Sequence, residues 1–187
     1  GDSNMALIVE AVNARLQASG QLGWDLPLAA LLLALAVILK SAQLPVHGWL
    51  IQVMEAPTPV SALLHAGLVN LGGFLVLRFA PLFSAAVPAQ SLLVVVGGLT
   101  AVIAALVMMT RISIKVRLAW STCAQMGLML LECGLGLYEL ALVHLLAHSL
   151  YKAHAFLAAG ETVAQARQHA LQPQAAVPGL AALLLAL

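Results

Sequence analysis

Charge is scarce in this chain: Asp, Glu, Lys and Arg together make up 8% of its residues, 8 basic against 7 acidic. A net charge of +1 leaves no clustered basic face with which to meet nucleic acid, so that class of partner is excluded. Cysteine is scarcer still, with two residues. Cys123 and Cys133 lie ten residues apart on one apolar stretch, about 15 Å apart along a helix and beyond the roughly 7 Å limit for a disulfide, so both read as buried free thiols. No metal-ligating cysteine pair, haem site or iron–sulfur set is present, and no redox cofactor is expected. The N-terminal GDSNMAL lacks the basic, apolar, small-residue order of a signal peptide, and the C-terminal AALLLAL stops within an apolar run, so the chain reads as an excerpt of a longer protein.

What is abundant is apolar surface. Hydrophobic residues make up 63% of the chain and mean hydropathy is +1.02, well above the roughly 45–50% apolar content of a soluble domain. The chain therefore reads as an all-α, polytopic transmembrane bundle with lipid as its surroundings. Spans of roughly 20 apolar residues fit at 26–54 (interrupted at Pro45), 59–79, 91–110, 114–133 and 138–159, with the start of a sixth at 177–187. Residues 1–25 read as an extramembrane loop or interfacial helix, since Met5, Leu7, Ile8, Val12 and Leu16 form a loose stripe opposite Glu10, Asn13 and Arg15. Residues 26–187 read as part of one longer transmembrane domain. Arg111, Lys115 and Arg117 are the densest basic cluster and mark a cytoplasmic turn. Alternation then puts Asp25, the 81–88 loop and Tyr138 outside, with Glu55 and Arg167 inside.

Ionisable groups within such spans cost roughly 2.5–3.5 kcal/mol even on the lenient insertion scale, so each one asks for a reason. Lys40 precedes Pro45, whose missing amide hydrogen and bulky ring loosen the helix and free a carbonyl near Ser41. Freed backbone groups at membrane depth are tolerated inside protein or beside water, which sets Lys40 next to a wet pocket. The alternative is a lysine that snorkels to the interface. Glu55, Pro57, Thr58 and Pro59 read as a turn and helix start, with Thr58 as the cap and Pro59 in the first helical position. His65 and Asn70 lie inside the second span. His65 can either relay protons or simply satisfy a buried hydrogen bond.

The sharper pattern is His144, His148 and Lys152. Steps of four residues turn a helix by about 40° and climb about 6 Å, which keeps all three on one side and turns His154 away. HxxxH also fits metal-ligand spacing, but no third ligand is evident locally, and no metal site is expected. Ser121, Thr122, Gln125 and Glu132 give the fourth span a polar component, while Lys115 at its start remains ambiguous between orientation and chemistry. Gly134 and Gly136 lack the strand context of a dinucleotide fingerprint.

With these residues in view, the chain resembles the proton-conducting antiporter-like membrane family, which comprises the large antiporter-type subunits of respiratory complex I, Mrp cation/proton antiporters and membrane hydrogenases. KSAQLP, MEAPTPVSALLHA, LAWSTCAQMG and HLLAHSLYKAHAFL carry the resemblance, in family order, over nearly all of 26–160. The resemblance implies an antiporter-like fold and proton-path roles for Lys40, His65, Lys115, His144, His148 and Lys152. It also implies an acidic partner for Lys40, usually upstream of residue 26, with Glu132 the candidate here by elimination.

Some departures are informative. LIQVM at 50–54 stands where complex I relatives usually read LPDAM, ISIK at 112–115 where they read TDIK, HAGLVNLGG where they read the longer HAATMVNAGG type, and His154 where they commonly carry an apolar residue. These variants resemble the membrane subunits of the DAB inorganic-carbon accumulation complexes of autotrophic bacteria. That branch implies a bacterial cytoplasmic-membrane subunit with no catalytic centre of its own. Its proton or other cation flow would drive CO₂ conversion to bicarbonate by a peripheral, DabA-like partner resembling a zinc β-carbonic anhydrase, with the zinc in that partner. The alternatives are a proton-translocating subunit of complex I, a membrane hydrogenase or an Mrp antiporter, and, from a different class, a passive membrane anchor.

Overall fold

Proline and glycine punctuate an otherwise continuous apolar sequence, and the helices begin and end largely at them. A computed structural model of the chain describes residues 2–19 and 24–171; the expected start of a sixth span at 177–187 lies outside the described residues. Among those described, the chain is helical with no strand. Helix α1 (Asp2–Ser19) lies against the short α6 (Ala80–Ala85), and Arg15 near its end pairs with Asp25 at 3.1 Å, both side chains exposed. Helix α2 (Asp25–Lys40) buries Leu26, Ala30, Ala34, Val37 and Ile38 on one face and exposes Leu28, Leu32, Leu35 and Leu39 on another. A helix apolar on every side belongs in hydrocarbon or in a larger bundle.

The first span breaks at membrane depth. Helix α2 stops at Lys40, non-helical turns follow through His47, and α3 (Gly48–Gln52) resumes before a 3₁₀ turn at Val53–Glu55. Ala42, in the left-handed region at φ 51°, swings the chain aside. Two donors at the break are taken up by protein: Gln43 Nε2 donates to the Ser41 carbonyl at 2.9 Å, and the Leu44 amide donates to Thr100 Oγ1 on α7 (Val87–Met109) at 3.1 Å. Ser41, Gln43 and Thr100 are all fully buried. Part of the accounting that lipid imposes on irregular backbone is thereby met, while Ser41 Oγ and Gln43 Oε1 are buried with no partner among the described residues.

The second span departs from the continuous helix expected over 59–79. It is built from α4 (Thr58–Ala66), a 3₁₀ turn at Leu68–Asn70 and α5 (Leu71–Arg78). A Cβ on Gly67 would stand 2.7 Å from the Leu63 carbonyl, and Asn70 Nδ2 donates to the Ala66 carbonyl at 2.8 Å, a side-chain bond that competes with the regular ladder. The 21 residues Thr58–Arg78 still form a stretch long and apolar enough to cross a bilayer, as do the 23 of Val87–Met109. Thr58 is not the cap expected of it. The N-cap is Pro57, without a side-chain cap bond; Ser61 Oγ donates to the Ala56 carbonyl at 3.3 Å, while Thr58 packs against Gly160.

The 81–88 segment, expected as a loop, contains α6 (Ala80–Ala85) and the start of α7 (Val87–Met109). Pro81 and Pro88 sit in the first turns of these helices, where the amide hydrogens they lack would have had no partner. Helix α8 (Ile114–Gly134) returns along α7 and turns into α9 (Tyr138–Leu171) through Gly136 at φ 77°, with the Leu137 amide on the Glu132 carbonyl at 2.9 Å. Helix α9 runs well past the expected boundary at 159, so Arg167 is helical rather than in a loop. The segment after Gly160 is rich in good helix formers and meets no proline before Pro173.

Helices α7 and α8 make the most extensive contact among the described residues. A Cβ on Gly97 would stand 2.6 Å from the Gly127 carbonyl, and one on Gly127 would stand 2.6 Å from the Gly97 carbonyl, so the two backbones touch where side chains are missing.

A buried polar seam between α4, α8 and α9

Four-residue spacing on α9 brings His144, His148 and Lys152 to one face. His148 is 2% exposed and Lys152 wholly buried, whereas His154 is exposed. The His144 and His148 rings meet edge to face with centroids 6.3 Å apart. Lys152 reaches across to α8, where its ammonium donates to Ser121 Oγ and, at 3.3 Å, to the Leu118 carbonyl. That carbonyl also accepts from Ser121 at 2.9 Å and from Thr122 at 3.0 Å, so the ammonium shares its acceptor with two hydroxyls.

His65 enters from α4. It is fully buried and stacks on Phe156 of α9 with centroids 4.5 Å apart, within electrostatic reach of Lys152 and His148. Neither ring nitrogen of His65 or His148 has a hydrogen-bond partner among the described residues. A buried polar atom left this way costs roughly 1–3 kcal/mol, so a packing role alone does not account for either histidine.

The acidic member of the seam is Glu132, near the end of α8. Its two carboxylate oxygens lie 3.0 and 3.2 Å from His144 Nδ1. Glu132 had been the candidate partner of Lys40; the structure gives it to His144 instead, because the tight α8–α9 turn folds these two helices directly onto one another.

Lys40 is not brought into the seam. It is exposed on the far side of the α2 break, where it lines a cavity of about 290 Å³ with Leu39, Trp49 and Leu68. Lys115, at the start of α8, donates to the Ala56 carbonyl at 3.3 Å and ties that turn to the entry of α4. Sequence reasoning missed Ser149, which accepts from Asn70 Nδ2 at 2.7 Å and so joins the irregular turn of the second span to α9. Its only signal is its place beside His148. The sequence reading also passed over His47, whose ring lies 4.9 Å from that of Trp120, itself under the Arg111 guanidinium. No group of three or more potential metal ligands occurs among the described residues.

A profile of the family described as NADH:quinone oxidoreductase/Mrp antiporter, TM matches residues 1–183. The chain belongs to that family. Within it, the chain is 70% identical over 135 residues to a protein named probable inorganic carbon transporter subunit DabB from Hydrogenovibrio crunogenus, covering 72% of this chain and 26% of the relative. It is 46% identical over 146 residues to NADH-quinone oxidoreductase subunit L of Rhodobacter capsulatus, covering 76% of this chain and 20% of that protein. Among solved structures, the Mrp complex from Dietzia sp. DQ12-45-1b matches with a TM-score of 0.67 at 38% identity, over 70% of this chain and 15% of that one. The chain thus spans about a quarter of the length of the antiporter-family relative it matches at 70% identity. The antiporter-like helical membrane fold follows from this membership and from the broken-helix bundle itself.

Proposed function

We propose that this chain is the proton-conducting core of the membrane subunit of an inorganic-carbon transporter, in which proton or other cation flow drives a peripheral carbonic-anhydrase-like subunit. One observation carries the conducting role: a lysine with no exposed surface, held by Ser121 and the Leu118 carbonyl, stands beside two buried histidines whose ring nitrogens have no partner among the described residues. Imidazoles suit such a relay once hydrated, because either ring nitrogen can give or take the proton. A proton on Lys152 passes to His148 or His65 and onward along the stripe to His144. Lys40, beside the helix break, and Lys115, at the opposite end of the fourth span, are further stations whose links lie outside the seam. The inorganic-carbon cargo rests on the 70% identity to the DabB protein. Zinc and the CO₂ chemistry belong to the partner, and the site is the bacterial cytoplasmic membrane. The second reading, a proton-translocating respiratory subunit, is supported by the 46% identity to subunit L.

The test is Lys152→Met in the full-length protein, co-expressed with its partner subunits in cells that depend on imported inorganic carbon. Methionine fills the lysine's volume without its charge. Uptake of labelled bicarbonate and CO₂ falls about tenfold or more, the scale of losing one charged hydrogen-bonding group from a rate-determining path, while the subunits still copurify. Undiminished uptake with the complex intact would return the chain to the role of a passive anchor. Copurification with quinone-reducing and flavin subunits in place of a zinc protein would favour the respiratory reading.

A further inference from the structure

The seam has two ends, and among the described residues only one of them carries a carboxylate. Glu132 is 8% exposed, and its oxygens address a single atom, His144 Nδ1, at 3.0 and 3.2 Å. Their side chains retain 11% and 14% exposure, while His148 and Lys152, one and two turns further along α9, retain 2% and none. The pair therefore stands where the seam comes nearest to its surroundings. One turn away, Gly136, Leu137, Tyr138, Glu139 and Leu140 line a cavity of about 430 Å³ at the α8–α9 turn.

We propose that Glu132 is a positioning residue for His144, and that the Glu132–His144 pair is the port through which the buried seam exchanges protons with water at the α8–α9 turn. This rests on the proton-conducting reading above. The chemistry is one proton in and one proton out. Glu132 holds Nδ1–H as its hydrogen-bond donor, which leaves Nε2 as the base. A proton taken from water at Nε2 makes an imidazolium whose positive charge the carboxylate balances. The same proton then leaves Nε2 toward the His148 ring, whose centroid lies 6.3 Å from that of His144, by way of one bridging water, and the neutral imidazole beside its carboxylate is restored. No heavy-atom bond changes. The other titratable groups facing the pair are His148 on α9 and, beside Glu132 on α8, Cys133, with Tyr138 next to it at the start of α9.

The experiment uses inverted membrane vesicles carrying the full-length protein with its partner subunits, with proton movement followed by a pH-sensitive dye. Glu132→Gln keeps an oxygen that can accept from Nδ1 but removes the charge, and Glu132→Asp restores the charge on a shorter arm. Glu132→Gln lowers the rate about tenfold and flattens its dependence on pH at the face bearing the α8–α9 turn, whereas Glu132→Asp recovers most of the rate. Combining Glu132→Gln with His144→Gln gives no loss beyond that of His144→Gln alone, as expected of two residues that act as one unit. Native rate and pH profile in Glu132→Gln, or equal damage from Glu132→Gln and Glu132→Asp, would overturn the port. Lys152→Met in the same vesicles separates the two ideas. If it abolishes conduction while Glu132→Gln does not, the port alone fails; if it too conducts normally, the proton-conducting reading fails and the port with it.

Discussion

Helix α8 makes two kinds of contact along its length. Toward α7 it offers Gly127 and Gly134, and the backbones close to distances at which a single added carbon would collide. Toward α9 it offers Leu118, Ser121 and Glu132, whose oxygens hold Lys152 and His144. One seam is dry and fixed by shape; the other is polar and contains nitrogens without partners among the described residues. In hydrocarbon the first type supplies cohesion, since close packing and not water exclusion drives helices together there. The second adds cost that only function repays. A bundle can carry a costly seam when an inexpensive one on the same helix secures it.

The comparison is broken most severely from the dry side. Gly127→Leu places a branched side chain where even Cβ would stand 2.6 Å from the Ala101 amide nitrogen and the Gly97 carbonyl. Backbone cannot move aside as a flexible side chain can, so α7 and α8 separate. We expect a loss of about 3 kcal/mol or more, the upper range for overpacking, read as loss of the protein from membranes and of its thermal transition in detergent. Lys152→Met predicts the reverse pattern: conduction lost with stability kept or raised, because exchanging a buried charge for an apolar side chain of similar volume is often neutral or stabilising. A variant that lost both together would show that the two faces of α8 are not separable.

The His144, His148, Lys152 stripe could be read from the sequence because helical period is a local property, and α9 has no break between them. The interruption of the first span was legible for the same reason: proline chemistry needs no tertiary partner, although the helix gives way at Ser41, four residues before Pro45. The Glu132–His144 pair was not legible, since it depends on how the turn through Gly136 lays one helix on the next. Thr58 misled because its identity suits a cap, while its position opposite Gly160 claims it for packing. The tightening at Gly67 was equally hidden, as Asn70 and Ser149 must meet across helices before that turn is secured. Elements set by covalent geometry were readable; those set by a partner helix were not.

Ser121→Ala sharpens the polar side with a smaller effect. It removes one acceptor from the Lys152 ammonium and leaves the Leu118 carbonyl in place at 3.3 Å. A stability change of about 1 kcal/mol follows, with conduction slowed by less than in Lys152→Met. Thermal unfolding in detergent and vesicle proton movement measure the two quantities on one preparation. If Ser121→Ala conducted no better than Lys152→Met, the hydroxyl would be a station on the path rather than a support for the lysine.

The smallest effect comes from the residue next to the Gly97–Gly127 contact. Gly98 neighbours Gly97 in sequence, yet a Cβ there would find its nearest atom, Leu131 Cδ1, at 3.9 Å, an ordinary contact distance. Within α7 alanine is the better helix former by about 0.8–1 kcal/mol, so Gly98→Ala raises the thermal transition slightly, whereas Gly97→Ala, 2.6 Å from the Gly127 carbonyl, lowers it. The opposite signs at adjacent positions isolate shape from composition, because both substitutions make the same chemical change. A destabilised Gly98→Ala would mean that the face of α7 beside Leu131 is also closed by backbone contact, and the dry seam would then be wider than the Gly97–Gly127 crossing alone.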